Sequence, residues 1–174
     1  MENNIRSIAT LKNLLDDDAG KFAITEMQQK KALSSWIHKA NSIKLRNMLQ
    51  KYLEHIEKNT EKLNSFIEEE KISALSLDNK LMSAFVEETE SKLAACTDNE
   101  VRDACLLACI QSMNHYKISM YGTAAAFATV LGLEKATVIF REAEVNEKQI
   151  DDRLSQLAEY EINVKAKTPV LLAG

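Results

Sequence analysis

The sequence predicts an all-α protein, an antiparallel four-helix bundle with one additional helix. Three observations carry this. The 174 residues include one Pro and four Gly, and turn dipeptides are nearly absent, so connections are short. Strand-forming residues do not cluster. Apolar residues recur with a 3.6-residue period in five segments. The length suits one domain with a sizeable core. That domain is expected over residues 1–164, with a loosely ordered tail over 165–174 (KAKTPVLLAG follows from Lys165) that holds the single Pro.

The first helix is expected from Ile5 to Lys39, with a stripe of Ile8, Leu11, Leu15, Phe22, Leu33 and Trp36. Gly20 follows Asp16-Asp17-Asp18 and can bend or interrupt it. Asn41-Ser42 offers a cap for the second helix, Ile43 to Glu69. Its stripe is Leu45, Leu49, Tyr52, Ile56, Leu63 and Phe66. The polar linker SALSLDN leads to a shorter third helix with Leu81, Phe85 and Leu93 inward. Thr97-Asp98-Asn99-Glu100 reads as a capping box. The fourth helix carries Leu107, Gln111, Ile118 and Tyr121 and ends near Gly132, a C-terminal cap. The fifth runs from Glu134 to Ile162, with Ala136, Phe140, Ala143, Ile150, Leu154 and Leu157 inward.

Composition excludes several classes of function. The net charge of −4 comes from 22 basic and 26 acidic residues mixed along the chain, a solvated surface and not a nucleic-acid footprint. MENNIRS has no apolar run behind its charge, so no signal peptide is expected. No apolar run is long enough to span a bilayer. The odd number of cysteines (Cys96, Cys105, Cys109) fits a reducing cytoplasm. They are expected to be small buried apolar residues. No Ser-His-Asp or Cys-His spacing supports nucleophilic catalysis, and His38 is expected at the surface.

The informative residues are polar ones on the apolar stripes. Glu26 lies between Phe22 and Leu33, beside Gln29. Glu147 lies between Ala143 and Ile150. Asn114 lies between Gln111 and Ile118, with Lys117 to one side. His55 and Asn59 flank Tyr52 and Ile56. Each long helix thus carries a polar residue at mid-length on its inner face. A buried carboxylate costs several kcal/mol unless something neutralises it. Any one of these can instead sit at a stripe's edge with its polar end in water. Polar groups converging at mid-bundle from four helices are the arrangement of di-metal carboxylate proteins.

The segment NEVRDACLLACIQSMNHYKISMYGTAAAFATVLG, followed by EKATVIFREAEVNEKQIDDRLSQLA, closely resembles the YciE/YciF type of ferritin-like proteins. NEVRDA, His115-Tyr116, Tyr121-Gly122-Thr123 and Leu131-Gly132 match in order. TEMQQKKAL around Glu26 and KYLEHIEKNTEKLN around His55 match more weakly. The resemblance implies a ferritin-like core, a homodimer, a cytoplasmic home and a bacterial stress association without a settled activity. Glu26 and Glu147 match inward Glu residues of the family. His55 stands where the family usually has Glu. Asn114 and Lys117 stand where it has two Glu residues flanking the His-Tyr pair, and Val145 and Asn146 also replace acids.

A di-iron site of the usual kind needs Glu-x-x-His on two helices and Glu on the other two. The chain contains no Glu-x-x-His. Glu26, Glu147, His55 and Asn114 supply two negative charges, where two divalent ions need about four carboxylates. Two readings follow. In the first, the site is vestigial, no cofactor is held, and the Lys117 ammonium takes over the charge balance as a donor of three hydrogen bonds. Tyr116 and Tyr121 are then bundle residues with internally bonded hydroxyls, and Gly122 allows a close helix approach. In the second, Glu26, His55 and Glu147 hold a single Fe or Mn ion with redox or peroxide chemistry.

Overall fold

A computed structural model describes residues 7–72 and 75–167. It contains α1 (Leu11–Ala19), α2 (Phe22–Trp36), α3 (Ile43–Glu69), α4 (Lys80–Ala95), α5 (Asn99–Val130), α6 (Glu134–Leu157) and α7 (Asn163–Ala166). A tighter turn, Ile37–Lys39, extends α2, and a wider π-type turn, Ala158–Ile162, joins α6 to α7. Among the described residues there is no strand.

The first helix expected from the sequence is two helices. Gly20 ends α1, and its carbonyl accepts a hydrogen bond from the Ser76 backbone N–H at 2.9 Å. That bond ties the α3–α4 linker to the break. Ile8, expected on the stripe, is exposed, and Ile5 lies outside the described residues. From Phe22 onward the expectation holds, with Phe22, Leu33 and Trp36 buried. His38 is exposed.

α3 begins at Ser42, whose hydroxyl accepts from the Leu45 N–H at 3.3 Å. All six expected stripe residues of α3 are buried. In α4 the inward residues are Met82, Thr89 and Leu93, and Leu81 is 59% exposed. The cap explains the shift of phase. Asn79 Oδ1 accepts from the Leu81 and Met82 N–H groups at 3.1 and 3.3 Å. Its Nδ2 donates to Thr25 Oγ1 at 2.7 Å and to Tyr116 Oη at 2.8 Å. Asn79 thereby fixes the start of α4 against α2 and α5 and turns Met82 inward.

α5 is capped by Asp98, not by Thr97: the Asp98 carboxylate accepts from the Val101 N–H at 2.9 Å. It ends at Gly132, which has φ +68°. The Leu133 N–H reaches the Ala128 carbonyl and the Gly132 N–H reaches Thr129, the paired bonds of a Schellman cap. The buried face of α5 runs through Leu106, Leu107, Ile110, Met113, Asn114, Lys117, Tyr121 and Ala124. Gln111 and Ile118, expected inward, are only half-buried. In α6 the expected stripe is buried as far as Leu154, and Leu157 is half-buried. Helical winding continues to Ala166, so the tail expected from Lys165 begins inside α7, and residues 168–174 lie outside the described residues. The cysteines depart from the expectation of burial, since all three are half-buried.

α2, α3, α5 and α6 form the bundle. α3 packs on α2 and α6, α5 packs on α6, and α4 lies across α5 and α2. The start of α5 meets the start of α3. There the buried Asp103 carboxylate accepts the Asn41 and Ser42 N–H groups at 2.8 and 2.6 Å. α3 and α5 therefore leave that end together, and α2 and α6 run toward it. Two apolar cores result. One gathers Trp36, Leu45, Leu49, Leu106, Ile110 and Leu154 at that end, and the other gathers Phe22, Leu63, Phe66, Ala124, Ala128 and Phe140 at the opposite end. Burying each such large side chain stabilises the fold by about 1.5–3 kcal/mol.

In the second core Phe140 meets Phe22 and Phe66 edge-to-face, at 5.2 and 5.5 Å between ring centres. It joins three helices there. Phe140→Ala is expected to lower unfolding free energy by roughly 3–5 kcal/mol in urea titration, with the helical circular dichroism of the folded baseline unchanged.

Candidate functional site

Between the two apolar cores lies a polar layer. Its residues come from all four bundle helices: Glu26 and Gln29 from α2, Tyr52, His55 and Asn59 from α3, Asn114, Lys117 and Tyr121 from α5, and Glu147 from α6. Glu26, Asn114, Lys117, Tyr52, Tyr121 and Glu147 have no exposure at all. The helices place them by spacing. Asn114, Lys117 and Tyr121 are separated by three and four residues, so they line one face of α5. Tyr52 and Asn59 are two turns apart on one face of α3.

Lys117 sits at the centre. Its Nζ lies 2.8 Å from Glu26 Oε2, 2.7 Å from Glu147 Oε1 and 3.0 Å from Gln29 Oε1. Three oxygens thus surround the ammonium, two of them as hydrogen-bond acceptors. The approach to Glu147 is off the hydrogen-bonding direction, so this contact is an ion pair, and Glu147 Oε1 accepts no directed hydrogen bond. The ammonium also lies 5.3 Å from the centre of the Tyr52 ring, within cation–π reach.

Each carboxylate has its own pair of neutral donors. Glu26 Oε1 accepts from Tyr121 Oη and from Asn59 Nδ2, the latter at 2.9 Å. Glu147 Oε2 accepts from Tyr52 Oη at 2.6 Å and from Asn114 Nδ2 at 2.7 Å. The two sets are stacked along the bundle, each with one Glu, one Tyr and one Asn. α3 and α5 supply their Tyr and Asn in opposite order. Gln29 Nε2 closes the network on Tyr52 Oη at 3.2 Å.

His55 is on the rim. Its Nε2 lies 3.7 Å from Glu147 Oε1, too far for a hydrogen bond. Among the described residues, three buried side-chain polar atoms have no hydrogen-bond partner: His55 Nε2, Asn114 Oδ1 and Glu147 Oε1. All belong to the Glu147 side of the layer. An open groove of about 510 Å³ between α3 and α6 is lined by His55, Asn59, Lys62, Lys135 and Asn146, but not by Glu26, Glu147 or Lys117.

Burial sets the protonation tendencies. It pushes the Glu26 carboxyl up, and the Lys117 charge pulls it down by less. Burial alone would lower Lys117, but the Glu147 and Glu26 charges together hold it well above an ordinary lysine. Tyr121 and Tyr52 are raised, first by burial and then by the carboxylates they bond. His55 is lowered, first by burial, which outweighs the attraction of Glu147. The layer therefore holds an ammonium and neutral phenols, and its histidine favours the neutral form.

The residues test the metal reading directly. The space between Glu26 and Glu147 is taken by Lys117 Nζ. Asn114 presents its amide nitrogen to Glu147, and a protonated nitrogen cannot donate electrons to a metal. Among the described residues no group of three or more His, Cys, Asp or Glu is disposed to hold a metal ion. This donor set does not fit a two-metal centre.

Of the five residues singled out in the sequence, Glu26, Glu147, Lys117 and Asn114 are brought together, and His55 is left at the edge. Lys117, expected beside the stripe, lies at its middle. Tyr52, Asn59, Tyr121 and Gln29 belong to the network, though the sequence marked them only as stripe or flanking positions. Tyr121 is bonded internally, as expected. Tyr116 is half-buried and bonds Asn79 outside the layer. A Cβ on Gly122 would stand 3.0 Å from Glu144 Oε1, so this glycine makes room for a carboxylate of α6 that is held by Arg141 and Lys148.

Comparison with known proteins agrees with this architecture. The family model described as a domain of unknown function, DUF892, matches residues 10–167. Protein YciF of Escherichia coli strain K12 is 32% identical over 143 residues, 82% of this chain and 86% of its own length. The structure of YcfI, described as a putative structural protein from Rhodopseudomonas palustris, aligns with a TM-score of 0.82 at 26% identity, over 87% of this chain and 96% of that one. The crystal structure of the E. coli stress protein YciF aligns with a TM-score of 0.79 at 29% identity, over 90% and 99%. The fold is the ferritin-like bundle.

Removing the central cation leaves two buried carboxylates facing each other. Lys117→Ala is expected to cost roughly 3–5 kcal/mol at neutral pH. A folded-state carboxyl raised above its unfolded value binds more protons folded than unfolded, so stability rises as pH falls through that window toward the unfolded value near 4.5. Loss of Lys117 removes the influence that lowers Glu26, which widens the window upward. Urea titrations between pH 7 and pH 5 are therefore expected to show the variant recovering stability relative to the parent. An unchanged melting temperature at pH 7 would mean that something other than Lys117 balances the carboxylates.

Proposed function

The chain belongs to the DUF892 family, and from that premise we propose that it is a non-catalytic ferritin-like protein whose metal centre has given way to a lysine-centred ion cluster. The observation that carries the reading is the Lys117 ammonium, 2.8 and 2.7 Å from the two carboxylates that bridging ions would otherwise share. Its role is structural or interactive, in the stress association that the family resemblance implies. Two similar proteins support that role: one is called a stress protein and the other a putative structural protein. A cytoplasmic location goes with this reading. No helix among the described residues is long and apolar enough to cross a membrane, and the net charge of −4 supports a reading without nucleic acid.

The alternative is a single Fe or Mn ion bound beside His55 and Glu147, with Glu26 as a further ligand. The unpartnered atoms of His55, Asn114 and Glu147 favour it. The nearby ammonium opposes it, because a cation there would be repelled at close range.

One experiment separates the two. Parent protein purified without chelator is expected to carry no stoichiometric iron or manganese, and added Fe(II) or Mn(II) should leave its melting temperature unchanged. The double variant Asn114→Glu with Lys117→Glu restores four carboxylic groups around the centre. It should be stabilised by the same ions in proportion to the logarithm of their concentration. Metal-dependent stabilisation of the parent would instead establish the single-ion reading.

We also propose a homodimer, as the family resemblance implies. Exposed apolar residues at Met27, Leu75, Leu77 and Leu81 are available for burial in an assembly. Light scattering at micromolar concentration is expected to give twice the 19.6 kDa chain mass, and a monomer would remove the dimer without touching the bundle.

A further inference from the structure

A second hollow lies away from the polar layer, against the aromatic end of the bundle. It encloses about 210 Å³ between α1, the end of α3 and the start of α6. α1 lends it Leu15 and Ala19, α3 lends Phe66, and α6 lends Ala136 and Phe140. All of these belong to the second apolar core. Ala19 and Ala136 end at Cβ, and a larger side chain at either position would fill the space. The Phe66 and Phe140 rings stand edge-to-face with centres 5.5 Å apart, so part of the wall is an aromatic pair.

Size and charge select the ligand. Pockets for drug-sized molecules run to about 300–1,000 Å³, and an apolar cavity of roughly 150 Å³ takes benzene. A hollow of about 210 Å³ therefore suits a molecule of one or two rings. Lys12, Asp16, Glu70, Glu134 and Lys135 also line it. Lys12 pairs with Asp16, and Lys135 pairs with Glu69 and Glu70. The side chains of Lys12, Asp16, Glu70 and Lys135 are between 41% and 52% exposed, which puts these charges at the mouth and the apolar residues inside. Glu134 opens α6, where a carboxylate meets the positive end of the helix. An anionic or cationic ligand would have to break one of these pairings or carry its charge inward, and an uncharged one does neither. A neutral ring can also meet Phe66 and Phe140 in the offset or edge-on arrangements that ring quadrupoles favour.

We propose that this hollow is a binding site for a small uncharged aromatic molecule. The ligand covers Leu15, Ala19, Phe66, Ala136 and Phe140 and leaves the ion pairs at the mouth intact. Binding is non-covalent and uses no group of the polar layer. The walls come from three helices, so a bound ring fastens α1 to the end of α3 and the start of α6. Occupancy therefore stabilises the folded chain.

The test uses the full chain and three one-ring probes that differ in charge: toluene, benzoate and benzylammonium. Melting temperature is followed by circular dichroism as each is added. Toluene should raise it, with the logarithm of its concentration once that exceeds the dissociation constant. Benzoate and benzylammonium should bind at least about tenfold more weakly, because each brings a charge that must be desolvated or paired anew. Carbon–proton correlation spectra of the parent should place the toluene-induced shifts on Leu15, Ala136 and the rings of Phe66 and Phe140. Ala136→Leu should abolish the response while its circular dichroism shows a folded bundle, and Ala19→Leu gives the same test from α1. No saturable response to toluene, equal binding of the three probes, shifts confined to another part of the bundle, or a response that survives in the folded leucine variants would overturn the proposal.

Discussion

The bundle is organised around one buried cation. Lys117 is fully buried and touches α2 and α6 from α5. A lysine can be taken out of water only if its ammonium finds hydrogen-bond acceptors and its charge finds a countercharge. Both conditions are met by side chains from elements far apart in sequence. This couples the helices more strictly than apolar packing does. An apolar side chain shifted by one turn finds another apolar surface, whereas a shift of α5 by one turn would strand the ammonium and both carboxylates together.

The polar layer explains how the rest of the core is distributed. Apolar residues are segregated into two cores on either side of it. The aromatic set of Phe22, Phe66 and Phe140 adjoins Tyr121, whose ring meets Phe22 at 5.1 Å and whose hydroxyl bonds Glu26. Tyr121 is thus both the edge of an apolar core and a donor to the charged centre, a use suited to a ring with one polar tip. At the other end Asp103 performs a smaller version of the same task, accepting two backbone N–H groups at the α2–α3 turn. Fixed polar contacts therefore set the register at mid-bundle and at one end, and the apolar cores fill the space they define.

Much of this was legible in the sequence, and the exceptions have physical causes. α3 and α6 alternate charged and apolar residues with a clear period, and their stripes were readable almost residue for residue. α5 is apolar or small around much of its circumference, through ACLLAC and TAAAFA. Its pattern marks no sharp phase, so Gln111 and Ile118 were placed inward and Lys117 beside the stripe. A signal for the true phase existed in the buried Leu106, Leu107 and Ile110, which extend back one turn to Asp103. The phase of α4 depends on Asn79 bonding two backbone N–H groups, a tertiary anchor that periodicity does not carry. The break at Gly20 was foreseeable, but the bond from Ser76 that holds it was not. The inward positions of Glu26, Asn114 and Glu147 were legible because each interrupts an apolar stripe. Tyr52 and Tyr121 were read as core, and nothing in their spacing announced that their hydroxyls carry the carboxylates.

Charge balance accounts for the neutral residues of the layer. A centre with four carboxylates and two divalent ions has no net charge. Here two carboxylates face one ammonium, and His55 favours its neutral form, so one negative charge is left over. In a dry interior that remainder must be dispersed by dipoles. Tyr121 and Asn59 do so on one carboxylate, and Tyr52 and Asn114 do so on the other. The Asn114 amide supplies a donor to Glu147, and its replacement by a carboxylate would add a further negative charge without a cation to meet it. The upward push on Glu26 comes first from burial, which outweighs Lys117 there, and the Glu147 charge adds to it. Asn114 and Lys117 therefore act together: the lysine brings one positive charge to the two carboxylates, and the asparagine donates to Glu147 without adding a negative one.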